Sequence, residues 1–325
     1  MKKNHLFVLS IVFTFAASEA LSQSSDLGAQ LSKVAGKNAE SYLGPILSGW
    51  GADLNSGFYH SADLHSTLGF DVGLKFSAAL VKDEDKVFDF ALPSTIKLGA
   101  VTYTAGTDYD AVITGSPTAV GEATGKEVKI KAGRPGAGTT IFTAPPGFNL
   151  PAVPLIMPQA SIGLPFGLEV TGRFVPSISA GDAGKVGFVG FGLRHDIDQY
   201  IPLLPVDIAA HFMMQKLTFS KKTDDEKIMS ASGTAFGLEV SKSLILLTVY
   251  GGFQIESSKW EFEPWDYTDP TTNTTVKVSG FSFEGKNKSR VHVGARLLLL
   301  FLNIHADYSL SANPVVTAGV GITFR

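Results

Sequence analysis

The stretch from Leu64 to Leu80, LHSTLGFDVGLKFSAAL, constrains the chain more than any other. Leu64, Leu68, Phe70, Val72, Leu74, Phe76, Ala78 and Leu80 take even positions, while His65, Thr67, Gly69, Asp71, Gly73, Lys75 and Ser77 take odd ones. Alternation of this kind marks a β-strand with one apolar and one polar face. Strands of soluble sandwiches typically run about 5–6 residues, whereas a tilted membrane crossing needs about 9–11. The polar face mixes Asp, Lys and His with Gly, as a wet interior would. The stretch reads as one strand of a transmembrane barrel.

The pattern returns along the chain. Ile162, Leu164, Phe166, Leu168, Val170 and Phe174 oppose Glu169, Thr171 and Arg173 within Ser161–Pro176. Val206, Ile208, Ala210, Phe212 and Met214 oppose Asp207, His211 and Gln215, and Phe236, Leu238 and Val240 oppose Glu239. Later segments set Arg296 and then His305 and Asp307 against apolar partners, and the chain closes on Val316, Ala318, Val320, Ile322 and Phe324. Ten strands follow, near 64–80, 86–98, 161–176, 185–195, 206–219, 230–240, 244–256, 290–298, 302–310 and 315–325. An irregular Gly-, Thr- and Pro-rich insertion at about 99–155 has room for a further pair. The expected fold is thus all-β, an antiparallel transmembrane β-barrel of about 12 strands, 10 to 14 being admissible and an even number expected. Short turns, one at Ser241–Ser243, face the side of the termini, and the long loops at Lys221–Lys227 and Ser257–Ser289 face the other.

The N-terminus has a different character. Lys2 and Lys3 precede the apolar run Leu6–Ala17, and Ala20-Leu21-Ser22 supplies small residues for cleavage before Gln23, so residues 1–22 read as a signal peptide. Residues 23–60 carry helical spacing: Leu27, Leu31, Val34 and Ala35, then Tyr42, Leu43, Ile46, Leu47 and Trp50 beyond a break at Gly44-Pro45. Such a segment either caps the periplasmic end of the barrel, which asks less of the sequence, or enters the lumen as a plug. Residues 61–325 form the barrel.

Composition narrows the function classes. There is no Cys, which removes disulfides and thiolate metal sites. Removing Lys2, Lys3 and Glu19 leaves 25 basic and 29 acidic residues, a near-neutral balance without the basic stripe of a nucleic-acid binder. No apolar run after the signal approaches a membrane helix, and in lipid only helices or edgeless barrels satisfy their backbones. The Gly-rich basic segment with Lys126, Lys129, Lys131 and Arg134 lacks phosphate-loop and dinucleotide spacings. Asp207 with His211, and His305 with Asp307, are the pairs nearest to catalytic groupings, yet no GxSxG or HEXXH accompanies them. They belong more simply to a polar lumen. No catalytic residue, metal site or cofactor is therefore expected. Glu169, Arg173, Asp207, His211, Glu239, Arg296, His305 and Asp307 are the candidate lumen-lining residues, a mixed-charge set.

The segments TLGFDVGLKFSAALV, QASIGLPFGLEVTGRFVP, LPVDIAAHFMMQKL and IHADYSLSANPVVTAGVGITFR together resemble DUF6588, an uncharacterised family of exported bacterial proteins. The resemblance covers most of the chain after the signal and implies no activity. More distantly, a helical N-terminus before tall strands is similar to outer-membrane long-chain fatty-acid transporters. The expected protein is an outer-membrane pore or transporter for small or hydrophobic compounds. A non-conducting structural or binding barrel is the alternative, and an integral hydrolase the least supported reading. Expected partners are membrane lipid, the outer-membrane assembly machinery through the last strand, and a small hydrophobic solute.

Overall fold

The computed structural model describes residues 37–179, 184–221, 225–268, 275–278 and 280–325. The signal-peptide reading and the stripe from Leu27 to Ala35 lie outside them. The chain divides into two units, one of Leu47–Leu80 with Ala152–Arg325, the other of the described part of 26–46 with Val81–Pro151.

The first unit is a closed antiparallel barrel of ten strands. These are β1 (Phe70–Leu80), β2 (Ala152–Leu164), β3 (Leu168–Ser179), β4 (Lys185–Asp196), β5 (Asp207–Ser220), β6 (Lys227–Leu244), β7 (Leu247–Phe262), β8 (Ser289–Leu299), β9 (Leu302–Leu310) and β10 (Val315–Phe324). Each pairs with its neighbours in sequence, and β10 closes onto β1 from Phe70↔Phe324 to Ala79↔Val315. Closure leaves no strand edge without partners. A short strand, Ser282–Glu284, adds to β7 opposite Lys259–Glu261.

Side chains sort as alternation dictates. Phe70, Val72 and Phe76 of β1 are exposed on the outer face, and Asp71, Lys75 and Ser77 are buried inside. The same division puts Phe174, Phe212, Phe236, Phe253, Val293 and Ile322 outside. The buried core therefore lies within the lumen, and it is largely polar.

The number of strands is the lower end of the expected range, and two of the ten differ from those foreseen. Val87–Leu98 is not a barrel strand: Val87–Ala91 pairs with Val112–Pro117, and Thr95–Leu98 with Val101–Thr104, all in the second unit. Pro93 separates the two pieces, and a proline cannot donate to a continuous ladder. The insertion accordingly begins at Val81 and ends at Pro151. Conversely, the single strand foreseen at 161–176 is the hairpin β2–β3, turning at Pro165–Gly167 with Phe166 at φ 66° and Gly167 at φ 64°. The turn holds an even offset between the strands, so apolar residues fall on even positions on both sides and hide it.

Smaller boundaries move too. Leu64–Gly69 precedes β1 as irregular chain, and the turn foreseen at Ser241–Ser243 sits at Leu244–Leu247, with Ile245 at φ 55°. Trp260, within the long loop foreseen at Ser257–Ser289, is instead fully buried on the inward face of β7. The helix α1 (Lys37–Leu54) runs unbroken through Gly44-Pro45.

In the second unit, Glu127–Lys129 pairs with Thr140–Thr143, and Phe90, Tyr103, Tyr109, Val120 and Ile130 are buried. The Gly-rich basic segment is met from within the unit: Lys126 by the Thr114 carbonyl at 2.9 Å, Lys131 by Asp110 at 3.0 Å, and Arg134 by Asp108 at 3.3 Å. Lys129 lies 3.6 Å from Glu127. No phosphate cradle is built from them.

Leu74 sits outward near the middle of β1, so Leu74→Arg is expected to destabilise the folded barrel by about 2–4 kcal/mol in lipid. Phe166→Arg, at a turn away from the middle of the strands, is expected to cost less. Urea unfolding midpoints in lipid vesicles, read by heat-modifiable gel migration, distinguish the two.

Candidate functional site

The lumen is filled by the chain's own segment from Leu47 to His65, the last two turns of α1 followed by irregular chain. It enters beside β7 and β10: the Trp260 indole donates to the Leu47 carbonyl at 2.9 Å, and Ser48 donates to Asn313 at 2.7 Å. It leaves beside β2 and β3, where the Leu68 amide donates to the Gly163 carbonyl at 2.9 Å and the chain turns into β1. Capping and plugging were the two readings of this stretch; its contacts run down the inward faces of the strands.

Wall residues hold the segment chiefly by its main chain. Arg173 donates to the Leu54 carbonyl at 2.9 Å and the Ser56 carbonyl at 2.7 Å, its guanidinium 5.9 Å from the Phe58 ring centre. Arg290 donates to the Ala52 carbonyl at 2.7 Å while pairing with Glu256 at 2.7 Å. Gln159 donates to the Phe58 carbonyl at 2.9 Å, and Gln254 to that of Asn55 at 3.0 Å. Backbone carbonyls in a dry interior need such donors.

Arg194 is the hub of the lower lumen. It pairs with Glu169 at 2.7 Å, donates through Nε to Glu239 at 3.0 Å, and donates also to the Ser61 carbonyl. Glu169 in turn accepts from the backbone amide of His65 at 3.1 Å and lies 2.7 Å from that imidazole, whose other nitrogen is 2.8 Å from the Thr323 hydroxyl. One buried cation thus ties two carboxylates from β3 and β6 to the segment between them.

Two glycines make room for the plug. A Cβ on Gly192 of β4 would overlap the Phe58 ring, and one on Gly252 of β7 would overlap the Tyr59 hydroxyl. Tyr59 itself donates to the Gly251 carbonyl at 3.2 Å and meets the rings of His211, His292 and Tyr250. Phe58, Tyr59, Met213 and Tyr250 form a small apolar cluster. A cavity of about 10 Å³ beside Gly57, Arg290 and Asp307 has room for about one water molecule.

All eight sequence-derived candidates face the interior. The structure gathers Glu169, Glu239 and His211 around Arg194, His211 lying 3.1 Å from Glu239. Arg173 touches the plug. Asp307 accepts from Tyr250 at 3.0 Å, and His305 lies 3.0 Å from the Lys75 ammonium and 3.0 Å from Asn303. Asp207, half-buried near the rim, accepts from Ser241 at 3.0 Å, and Arg296 donates to Thr248 at 2.9 Å. Asp207 and His211 thus take separate partners, as do His305 and Asp307. Among the described residues, no three His, Asp or Glu side chains gather as a cation site.

Sequence reasoning missed Arg194, Arg290 and His60. Arg194 comes near the end of a strand whose preceding inward positions are Val186, Phe188, Gly190 and Gly192, so its inward face carried no charge until then. The glycines were themselves the signal, since bare inward positions leave space for something other than wall side chains.

A closed sheet with an apolar outer face and a charged, filled interior defines a membrane-spanning β-barrel with an internal plug. The chain belongs to the DUF6588 family, described as a family of unknown function, whose model matches residues 1–324. No curated protein matches it. Among solved structures, the β domain of the Bordetella autotransporter BrkA shares 10% identity at a TM-score of 0.33, covering 79% of this chain and all of that one. Ail from Yersinia pestis, in complex with a heparin analogue, shares 10% identity at a TM-score of 0.22, with coverages of 80% and 98%. The monoaromatic hydrocarbon channel CymD shares 9% identity at 0.29, with coverages of 81% and 90%. Scores this low carry no argument, and the barrel stands on its own closed ladder and apolar exterior.

Arg194→Met strands two buried carboxylates and is expected to destabilise the barrel by about 3–5 kcal/mol. Adding Glu169→Gln and Glu239→Gln should recover most of that loss. Urea unfolding of the single and triple variants measures both.

Proposed function

We propose that this protein is an outer-membrane pore or transporter for small or hydrophobic solutes, closed at rest by its Leu47–His65 segment and opened when that segment shifts. The reading is carried by the chemistry of the plug–wall interface. Arg173, Arg194, Arg290, Gln159 and Gln254 hold main-chain carbonyls, alongside two apolar contacts, Phe58 and Tyr59 with Met213 and Tyr250, and Trp50 with Phe219 and Trp260. Hydrogen bonds exchange for bonds to water at a net cost of about 0.5–1.5 kcal/mol each, so a polar interface can rehydrate as it separates. A purely structural core gains more from apolar packing, which often matches or exceeds buried ion pairs in stability.

The apparatus around the pore follows. The basic and apolar start of the chain supports export, the outer face fits lipid, and β10 supplies the C-terminal strand for the assembly machinery. The mixed lumen charges favour weak ion selection. A helical segment before tall strands is the whole of the likeness to fatty-acid transporters, and architecture alone names no solute. No enzymatic role is proposed.

The packed lumen favours one competing reading, a permanently closed structural or binding barrel. Planar-bilayer recording separates them. The intact protein should show rare openings, more frequent with Arg173→Ala or Arg290→Ala. A disulfide between Ser61→Cys and Ser241→Cys, whose hydroxyls lie 3.4 Å apart, should abolish openings until reduced. Silence in every form would leave the closed barrel as the better account.

A further inference from the structure

The end of the barrel where β10 finishes has turns of unusual chemistry. Leu68 before β1, Phe166 between β2 and β3, Leu203 between β4 and β5, Ile245 between β6 and β7, and Leu300 between β8 and β9 all have φ between 55° and 70°. Apart from these five, the non-glycine residues with positive φ among the described residues are Asn149 and Asp225. Asn and Asp tolerate the left-handed region; a β-branched Ile there is a genuine outlier. Glycine or asparagine would relieve every one of these turns. Instead each presents a large apolar side chain, Leu203 and Ile245 being 100% exposed and Leu300 89%. Placed in water, such a ring suffers both backbone strain and apolar hydration.

The lipid-facing belt explains it. On β7 the outward positions are apolar or glycine from Leu247 to Ile255, then turn polar at Ser257, Lys259 and Glu261. On β8 they run from Val291 to Leu299, on β9 from Leu302 to Leu310, and on β10 from Val316 to Phe324. On these four strands each run is eight residue steps, while β1 and β2 carry longer ones, Phe70–Leu80 and Ala152–Leu164. Eight steps of about 3.3 Å, tilted by about 40°, rise only about 20 Å. The apolar band of a membrane barrel is about 25 Å tall. On the β7–β10 side the strands alone fall short, and the turn tips lie where the missing height must come from.

Several polar groups at this rim bond to one another. The Leu298 amide donates to the Leu246 carbonyl of the neighbouring turn, Asp196 to Gly167, and Thr323 to Phe301. Lys242 donates to the Pro205 carbonyl, and His195 lies 3.1 Å from both the Gly167 carbonyl and the Tyr200 hydroxyl. Backbone and side-chain polar groups near hydrocarbon need such internal partners.

We propose that this ring of turn tips is immersed in the acyl-chain layer of the membrane leaflet on the side where β10 ends. It completes the hydrophobic height of a short barrel and seats it by its turns. Five tips spread round the whole circumference, continuous with the belt, suit a lipid layer rather than a partner protein docked on one side. The proposal rests on the reading of the chain as a membrane-spanning barrel.

The chain has no Cys, so single-cysteine labelling is direct. Ile245→Cys and Leu300→Cys, with Phe253→Cys in the belt and Lys259→Cys beyond it as controls, would carry a fluorophore in phosphatidylcholine vesicles. The expected result is that both tips match Phe253, quenched by lipids brominated on the acyl chain and spared by aqueous iodide on both faces. Tips that match Lys259 would overturn the proposal and leave a protein partner as the occupant. A Phe253 probe quenched by iodide would instead overturn the barrel reading itself. Unlabelled Ile245→Asn gives a second measure, because Asn suits the left-handed backbone. In lipid it should lower the urea midpoint; a raised midpoint would place the tip in water and sink the idea.

Discussion

The pairing of β1 with β10 is the interaction on which everything else depends. It joins Phe70 to Phe324 and converts a ten-strand meander into a ladder without edges. In hydrocarbon an unpaired edge would leave a row of amides and carbonyls without partners, each costing several kcal/mol. Once the ladder is closed, the outer face can be almost wholly apolar. The inner face must then solve a different problem, because alternation delivers every second residue into a narrow enclosed space.

That problem is electrostatic. Asp71, Lys75, Glu169, Arg173, Arg194, Glu239, Glu256, Arg290 and Arg296 are all buried on inward positions, and a ten-strand lumen has little room for water around them. A buried charge without partners is far costlier than one paired and hydrogen-bonded. Arg194 between Glu169 and Glu239, and Arg290 against Glu256, answer part of the demand. The threaded segment answers another part, since its carbonyls accept from Arg173, Arg194 and Arg290. Plug and wall are therefore complementary: the guanidiniums need acceptors, and a non-helical backbone inside a barrel needs donors.

The same complementarity bears on how the plug is seated. Contacts made through main-chain carbonyls depend weakly on which side chains the plug carries. Its rings depend on them strongly: Phe58 and Tyr59 occupy the space left by Gly192 and Gly252, and Trp50 packs on Phe219 and Trp260. They fix the register of the plug.

The sequence by itself determined the wall: Phe70–Leu80, Asp207–Met214, His305–Leu310 and the C-terminal strand alternate because one side meets lipid and the other does not. It also determined which of Glu169, Arg173, His211, Glu239, Arg296, His305 and Asp307 would be inward, since a period of two fixes the face once a strand is recognised. It did not mark the turn inside SIGLPFGLEVTG, because an even offset preserves alternation across the hairpin, nor did it exclude Val87–Leu98, whose local pattern is strand-like although its partner is Val112–Pro117. Arg194 and Arg290 were silent for a related reason, standing on faces thinned by glycine or at strand ends. Only the tertiary structure decided what fills the lumen. A helical stripe around Tyr42–Trp50 fits both a cap, which asks less of the sequence, and a plug, and the choice between them rests on donors and acceptors contributed by strands far away in the chain.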